Sequence, residues 1–207
     1  MPQSSNNLQT LPALIRSIEP NQSKMLSKLS AWILKLWGWK ITGQYPHDVP
    51  KVVLAVGPHT SNWDFPVGVL VNSAGRMHAN YVGKHTIFRW PFGVFFRWLG
   101  GIPVDRTKKG GNFVSATVEA FRQNERMHLV ISPEGTRKKV PKFRTGFYHI
   151  AKQAGVPIAL CVFNWPKKEV FFDPQLFYPT DNEEQDMAFF WEYFKGIPGK
   201  NPEQGVG

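Results

Sequence analysis

The chain has 207 residues, 42% hydrophobic and 19% charged, with a formal net charge of +10. That length suits one ordinary domain with a real core, and that composition excludes a disordered chain. The single cysteine, Cys161, excludes an internal disulfide and a thiolate metal cluster, and its neighbours from Ile158 to Phe163 read as core.

Residues 1–22 read as a loose lead-in, polar and proline-bounded, without the continuous apolar core of a signal peptide. From Lys24 the pattern is helical. Met25, Leu26, Leu29, Trp32, Ile33, Leu36 and Trp37 fall on one face of a 3.6-residue period, with Lys24, Ser27, Lys28 and Lys35 opposite. Residues 23–40 therefore form an amphipathic helix that suits a membrane interface, and that equally suits packing on its own domain.

The β-branched run Lys51 to Val56 predicts a buried strand entering the Gly57-Pro58 turn. A helix follows from Phe65 to Ala74, then short strands at Tyr81-Val82 and Ile102-Pro-Val104 with an aromatic helical segment between them. Asn112 to Gln123 reads as a helix with Asn112 as its cap. Leu129 to Ile131 is a strand, Thr145 to Ala154 a helix stopped by Gly155, and Pro157 to Phe163 another strand. Lys168 to Phe172 adds a strand, and Glu183 to Phe194 a last helix before a Gly/Pro-rich tail at 196–207. Strands alternating with helices predict an α/β fold over residues 41–195, a largely parallel or mixed sheet flanked by helices. No run approaches the ~18 apolar residues of a spanning helix.

Charge is concentrated. From Lys84 to Arg144 there are 13 basic residues against four acids, a net +9, so this block calls for an anionic partner. Within it, six of the twelve residues from Ile87 to Trp98 are Phe or Trp, interleaved with Arg89 and Arg97. That mixture suits a lipid interface, stacking on single-stranded nucleic acid, or a core helix with snorkelling cations.

In an open α/β sheet, ligands collect beyond the carboxyl ends of the strands. Two turns lie there. In His59-Thr-Ser-Asn-Trp-Asp64, the aspartate opens the following helix, with Ser61 or Asn62 as its cap, and folds back to one imidazole nitrogen of His59. The other nitrogen is left to accept a proton. This is the base and orienter of a catalytic triad without a protein nucleophile, so the activated hydroxyl belongs to the substrate; a histidine bonded only for structure fits the same spacing. In Ser132-Pro-Glu-Gly-Thr-Arg137, Gly135 admits close backbone approach, Arg137 offers a fork suited to phosphate, and Glu134 suits either a substrate hydroxyl or a pair with Arg137.

The order of these blocks, His-x-x-x-x-Asp, then Gly83-Lys84 running to Gly-Ile-Pro-Val-Asp-Arg106, then Pro-Glu-Gly-Thr-Arg137, then Val156-Pro-Ile158, resembles the lysophospholipid acyltransferase family. The resemblance covers roughly residues 50–165. It implies that His59 and Asp64 are catalytic, that Glu134, Gly135 and Arg137 bind a glycerol-phosphate group, and that Lys84 and Arg106 assist with the phosphate. Acyl-CoA or acyl carrier protein would be the donor and a lysophospholipid, 1-acylglycerol-3-phosphate first, the acceptor. No cofactor is implied, and the partners are an anionic membrane surface and no nucleic acid, at the cytoplasmic face of a bacterial inner membrane. Thr86 stands where members often carry an acid, and Lys138 where serine commonly follows the arginine, so another lysolipid such as a lyso-ornithine lipid stays open as acceptor. A non-enzymatic binder of anionic membrane or nucleic acid is the rival from another class. The sequence holds neither a Gly-x-Ser-x-Gly elbow nor a His-Glu-x-x-His metal motif.

Overall fold

Lys51-Val-Val-Leu-Ala-Val-Gly57 is apolar without alternation, the pattern of a strand covered on both faces. In the computed structural model, which describes residues 23–90, 93–104 and 111–207, this segment is the centre of a seven-stranded sheet. In chain order the strands are β1 (Lys40–Gly43), β2 (Lys51–Gly57), β3 (Ala79–Lys84), β4 (Gly101–Val104), β5 (Met127–Ile131), β6 (Ile158–Asn164) and β7 (Glu169–Phe177). Their spatial order is β1-β7-β6-β2-β5-β3-β4. Every pair is parallel except β6 with β7.

Side chains alternate across the sheet, and helices cover both faces. Val53, Ala55, Leu129, Ile158 and Leu160 face α4 (Gly111–Gln123), α5 (Gly146–Ala154) and α6 (Glu183–Phe194), through Phe121, Phe147, Phe190 and Phe194. Val52, Leu54, Ala159 and Cys161 face α1 (Lys24–Leu36) and α2 (Asp64–Ala74), through Leu34, Val67 and Val71. Cys161 is 1% exposed, and burial pushes its thiol pKa up. A sixth helix, α3 (Gly93–Trp98), follows a 3₁₀ turn at His85–Phe88, within the stretch read as aromatic and helical.

Three features depart from the sequence reading, and a fourth bears on a choice it left open. The helix α4 begins at Gly111, so Asn112 lies inside it rather than at its cap. The strand β1 went unseen because Lys-Ile-Thr-Gly is short and largely exposed, and forms only by pairing with β7. The strand β7 runs on to Phe177 past Pro174, which falls in the irregular stretch of the β6–β7 ladder between the Cys161↔Phe172 and Ala159↔Leu176 pairs, where its missing N–H breaks no regular bond. Finally, α1 buries Ser30 and Leu34, with Ser27 Oγ donating to the Ala74 carbonyl at 3.0 Å and Ser30 Oγ to Ser73 Oγ at 2.9 Å. Of its apolar stripe, Met25, Trp32 and Leu36 point outward, at 74%, 58% and 68% exposure, while Leu26, Ile33 and Trp37 are half-buried.

Beneath the sheet's start, His128 on β5 is fully buried, with Nδ1 2.5 Å from the Tyr45 hydroxyl and Nε2 2.7 Å from the Val49 carbonyl. Burial pushes its pKa down from 6.5 to about 4. The unfolded chain therefore takes up this proton first as pH falls. Stability should be full above pH 6.5 and decline towards pH 4, by at most ~1.4 kcal/mol per pH unit from this group. Urea unfolding across that window should show a shallower pH slope in His128→Gln than in the parent.

Candidate active site

The adjacent registers Gly57↔Val162 and Ala55↔Ile131 bring the carboxyl ends of β2, β6 and β5 to one edge of the sheet. The loops that leave these three strands therefore meet there. After β2 comes a cis Gly57-Pro58 bond and then His59, whose side chain is 30% exposed. Asp64, 5% exposed, opens α2.

One oxygen of Asp64, Oδ2, accepts from His59 Nδ1 at 3.0 Å and from the Thr60 and Ser61 backbone N–H groups at 3.0 and 2.9 Å. The other, Oδ1, accepts from the indole N–H of Trp165, just past β6, at 2.7 Å. A carboxylate accepts only, so His59 carries its proton on Nδ1 and keeps the Nε2 lone pair. No described residue is seen bonding Nε2. The expected side-chain cap of α2 is not formed; its cap residue is Trp63, and Ser61 Oγ instead accepts from the Trp63 N–H at 3.2 Å.

The loop after β5 reaches the same turn. Glu134, 2% exposed, accepts from the His59 backbone N–H through Oε1 at 2.8 Å and from Ser132 Oγ through Oε2 at 2.6 Å. Its carboxylate thus braces the His59 turn and makes no ion pair with Arg137, which is exposed. Gly135 is left-handed, with φ +63°, and a Cβ there would lie 2.5 Å from Arg144 Cδ. The close approach that glycine permits is made by Arg144, a cation the sequence reading passed over. Lys84 closes β3, while Arg106 lies outside the described residues.

Trp165 was also missed. Its signal was topological: β6 lies beside β2, so the residue after β6 sits beside the histidine turn. Trp165 stands in a group with Trp39 at 4.9 Å and with Lys200, whose ammonium lies 4.9 Å from the Trp165 ring and 4.5 Å from that of Trp63. Among the described residues no three metal-ligating side chains converge. The arrangement offers an oriented imidazole with one free acceptor nitrogen, suited to taking a proton from a bound hydroxyl.

A family model described as Acyltransferase matches residues 40–164, more than half of the chain. The chain is 28% identical over 158 residues to the 1-acyl-sn-glycerol-3-phosphate acyltransferase of Haemophilus influenzae, covering 73% of this chain and 65% of that relative. It is 30% identical over 142 residues to the protein of the same name from Salmonella typhimurium, covering 64% and 56%. The chain thus spans less than two thirds of the length of these curated relatives. Among solved structures, the 1-acyl-sn-glycerophosphate (LPA) acyltransferase PlsC from Thermotoga maritima superposes with a TM-score of 0.54 at 20% identity, covering 82% of this chain and 75% of that one. At that identity the likeness concerns the fold.

Glu134→Ala leaves the His59 N–H without its acceptor, and should lower stability by ~1–3 kcal/mol. Glu134→Gln keeps an acceptor for that N–H and an amide group for Ser132, and should cost clearly less. Urea denaturation of the two variants separates them, and equal losses would contradict the brace.

Proposed function

The chain belongs to the acyltransferase family, and on that premise we propose that it moves a fatty acyl group from a thioester, acyl-CoA or acyl carrier protein, to the free hydroxyl of a lysophospholipid. The acceptor we propose is 1-acylglycerol-3-phosphate, within phospholipid biosynthesis. The observation that carries the reading is the His59–Asp64 contact of 3.0 Å, which orients the imidazole and leaves Nε2 without a partner among the described residues, at the carboxyl edge of the sheet.

The step balances without a covalent enzyme intermediate. The acceptor hydroxyl lies against Nε2 and gives up its proton as its oxygen attacks the thioester carbonyl. The tetrahedral intermediate collapses with cleavage of the carbon–sulfur bond, and the imidazolium returns the proton to the leaving thiolate. Asp64 supports the positive charge on His59 in the interval. Holding both substrates in register supplies the proximity contribution. Glu134 acts by shaping the turn, while Arg137, exposed on the neighbouring loop, is the group we assign to the acceptor phosphate. Lys84 and Arg106 are proposed to assist it, and Gly135 to admit the acceptor's approach beside Arg144.

Membrane association is part of the proposal. No helix among the described residues is long and apolar enough to cross a membrane. The outward Met25, Trp32 and Leu36 of α1, with Trp90 and Val94 at 90% and 72% exposure near α3, support a peripheral or monotopic seat on an anionic bilayer. The cytoplasmic face of a bacterial inner membrane fits the organisms of the relatives and remains a proposal for this chain.

The test is thiol release by purified protein in detergent, with both donors and with lysophosphatidic acid or an uncharged lysolipid as acceptor. His59→Ala should lower kcat by ~10²–10⁴-fold; unchanged turnover would refute the base assignment. Arg137→Ala should raise KM for lysophosphatidic acid by ~10-fold or more and leave that for the uncharged lysolipid nearly unchanged. Equal effects on both acceptors would remove Arg137 from the phosphate site.

A further inference from the structure

Residues 196–207 read from sequence as a Gly/Pro-rich tail, yet they fold back on the histidine turn. The Gly196 N–H donates to the Val206 carbonyl at 3.1 Å, and Val206, 4% exposed, joins the same core as Phe194. The segment is therefore a closed loop anchored at both ends. Between the anchors, Asn201 donates twice to Thr60: its backbone N–H to Oγ1 at 3.1 Å and its side-chain amide to the carbonyl at 2.9 Å. Gln204 is oriented with its amide nitrogen towards the Thr60 carbonyl, at 3.2 Å, and the Arg137 carbonyl, since the reverse orientation would set oxygen against oxygen. Gly199 packs so closely that a Cβ there would lie 2.4 Å from Thr60 Oγ1. The Pro198 carbonyl accepts from the Trp165 backbone N–H at 3.3 Å, and the Lys200 ammonium sits between the Trp63 and Trp165 rings.

These contacts converge on the donors that hold Asp64. Thr60 gives its N–H to Oδ2, and Trp165 gives its indole N–H to Oδ1. Neither donor lies in a regular element, so neither is fixed by a helix or a ladder. We propose that residues 196–207 are a positioning strap for the reaction: Asn201 and Gln204 fix the Thr60 peptide, Lys200 fixes Trp165, and together they hold Asp64 in the orientation that sets His59. Trp165 and the strap lie after residue 164, where the match to the family model ends. The inference rests on the reading of His59 as the base. Trp165, Lys200 and Asn201 are positioning residues, acting through Asp64 rather than on substrate.

The experiment compares the parent with Lys200→Met, Lys200→Arg and Asn201→Ala in the full chain. Lys200 is exposed, so its substitution leaves the core untouched. In thioester-dependent transfer, Lys200→Met and Asn201→Ala should lower kcat by ~10-fold or more, with KM for both substrates within about twofold of the parent. Lys200→Arg keeps a cation over the rings and should restore most of the loss. A second readout is independent of turnover: the ¹⁵N-indole resonance of Trp165, assigned with Trp165→Phe, should shift and exchange faster with water in Lys200→Met and Asn201→Ala. An unchanged kcat with an unmoved indole resonance overturns the proposal, as does a kcat loss that follows only a lowered unfolding temperature. A parent that transfers no acyl group refutes the proposed function, and the indole readout then still decides whether the strap holds Trp165 on Asp64.

Discussion

An ionised carboxylate removed from water persists only where donors replace its hydration. Asp64, 5% exposed, is in that position, and its four donors come from two stretches far apart in sequence: the His59–Ser61 turn and Trp165. Neither stretch can satisfy it alone. The turn supplies one oxygen and Trp165 the other, so the carboxylate is complete only when β2 and β6 lie side by side. The orientation of His59 is thus a consequence of sheet assembly, and under the proposed function the geometry that proton transfer needs is set before any substrate arrives.

A second buried carboxylate repeats this logic from the opposite neighbour. Glu134 comes from the loop after β5 and spends its oxygens on the His59 N–H and on Ser132 Oγ. The backbone of His59 is therefore held from the β5 side while its imidazole is held from the β6 side through Asp64. A parallel sheet makes this possible because the ends of three neighbouring strands emerge at one edge. An antiparallel neighbour at either position would send its following loop to the far edge and leave one carboxylate without its partner. Among the described strands, the antiparallel neighbour β7 lies on the outer side of β6, away from β2 and β5.

How much of this was legible in the sequence depended on whether a feature was local. The strands β2, β5 and β6 were legible because each holds a short, dense apolar run bounded by turn residues. The strand β1 was not, since Lys-Ile-Thr-Gly has no preference of its own and takes its form from β7. His59 and Asp64 were legible because five residues of turn suffice to bring them together. Glu134 was found, but its hold on the His59 turn was not, because Arg137 is near in sequence while His59 is near only in space. Trp165, Arg144 and the 196–207 segment were missed for the same reason, as their partners lie across the fold. Proline and glycine in the last segment signalled the absence of a helix or strand, which is different from the absence of packing.

The helix α1 shows what a pattern leaves undecided and what packing adds to it. An apolar stripe with lysines opposite fits a helix buried on its own domain and a helix turned to lipid equally well. On its inner side α1 meets α2 through Ser27, Ser30 and Leu34, and small hydroxyl side chains bonded to Ala74 and Ser73 let the two helices approach closely. A seam of that kind consumes little apolar surface, so the larger side chains on the other face stay uncovered, which is costly in water unless something apolar meets them. Just past α1, Trp37 lies edge-on to Trp63, with ring centres 5.9 Å apart, and Trp63 directly precedes Asp64. Under the proposed function, the helix that meets lipid ends one ring contact from the turn that carries the base. A lysolipid then keeps its chain in the bilayer while its hydroxyl reaches His59. The same ring contact joins α1 to the tryptophans gathered around Lys200, so α1 and the 196–207 segment bear on one turn from opposite sides of the sequence.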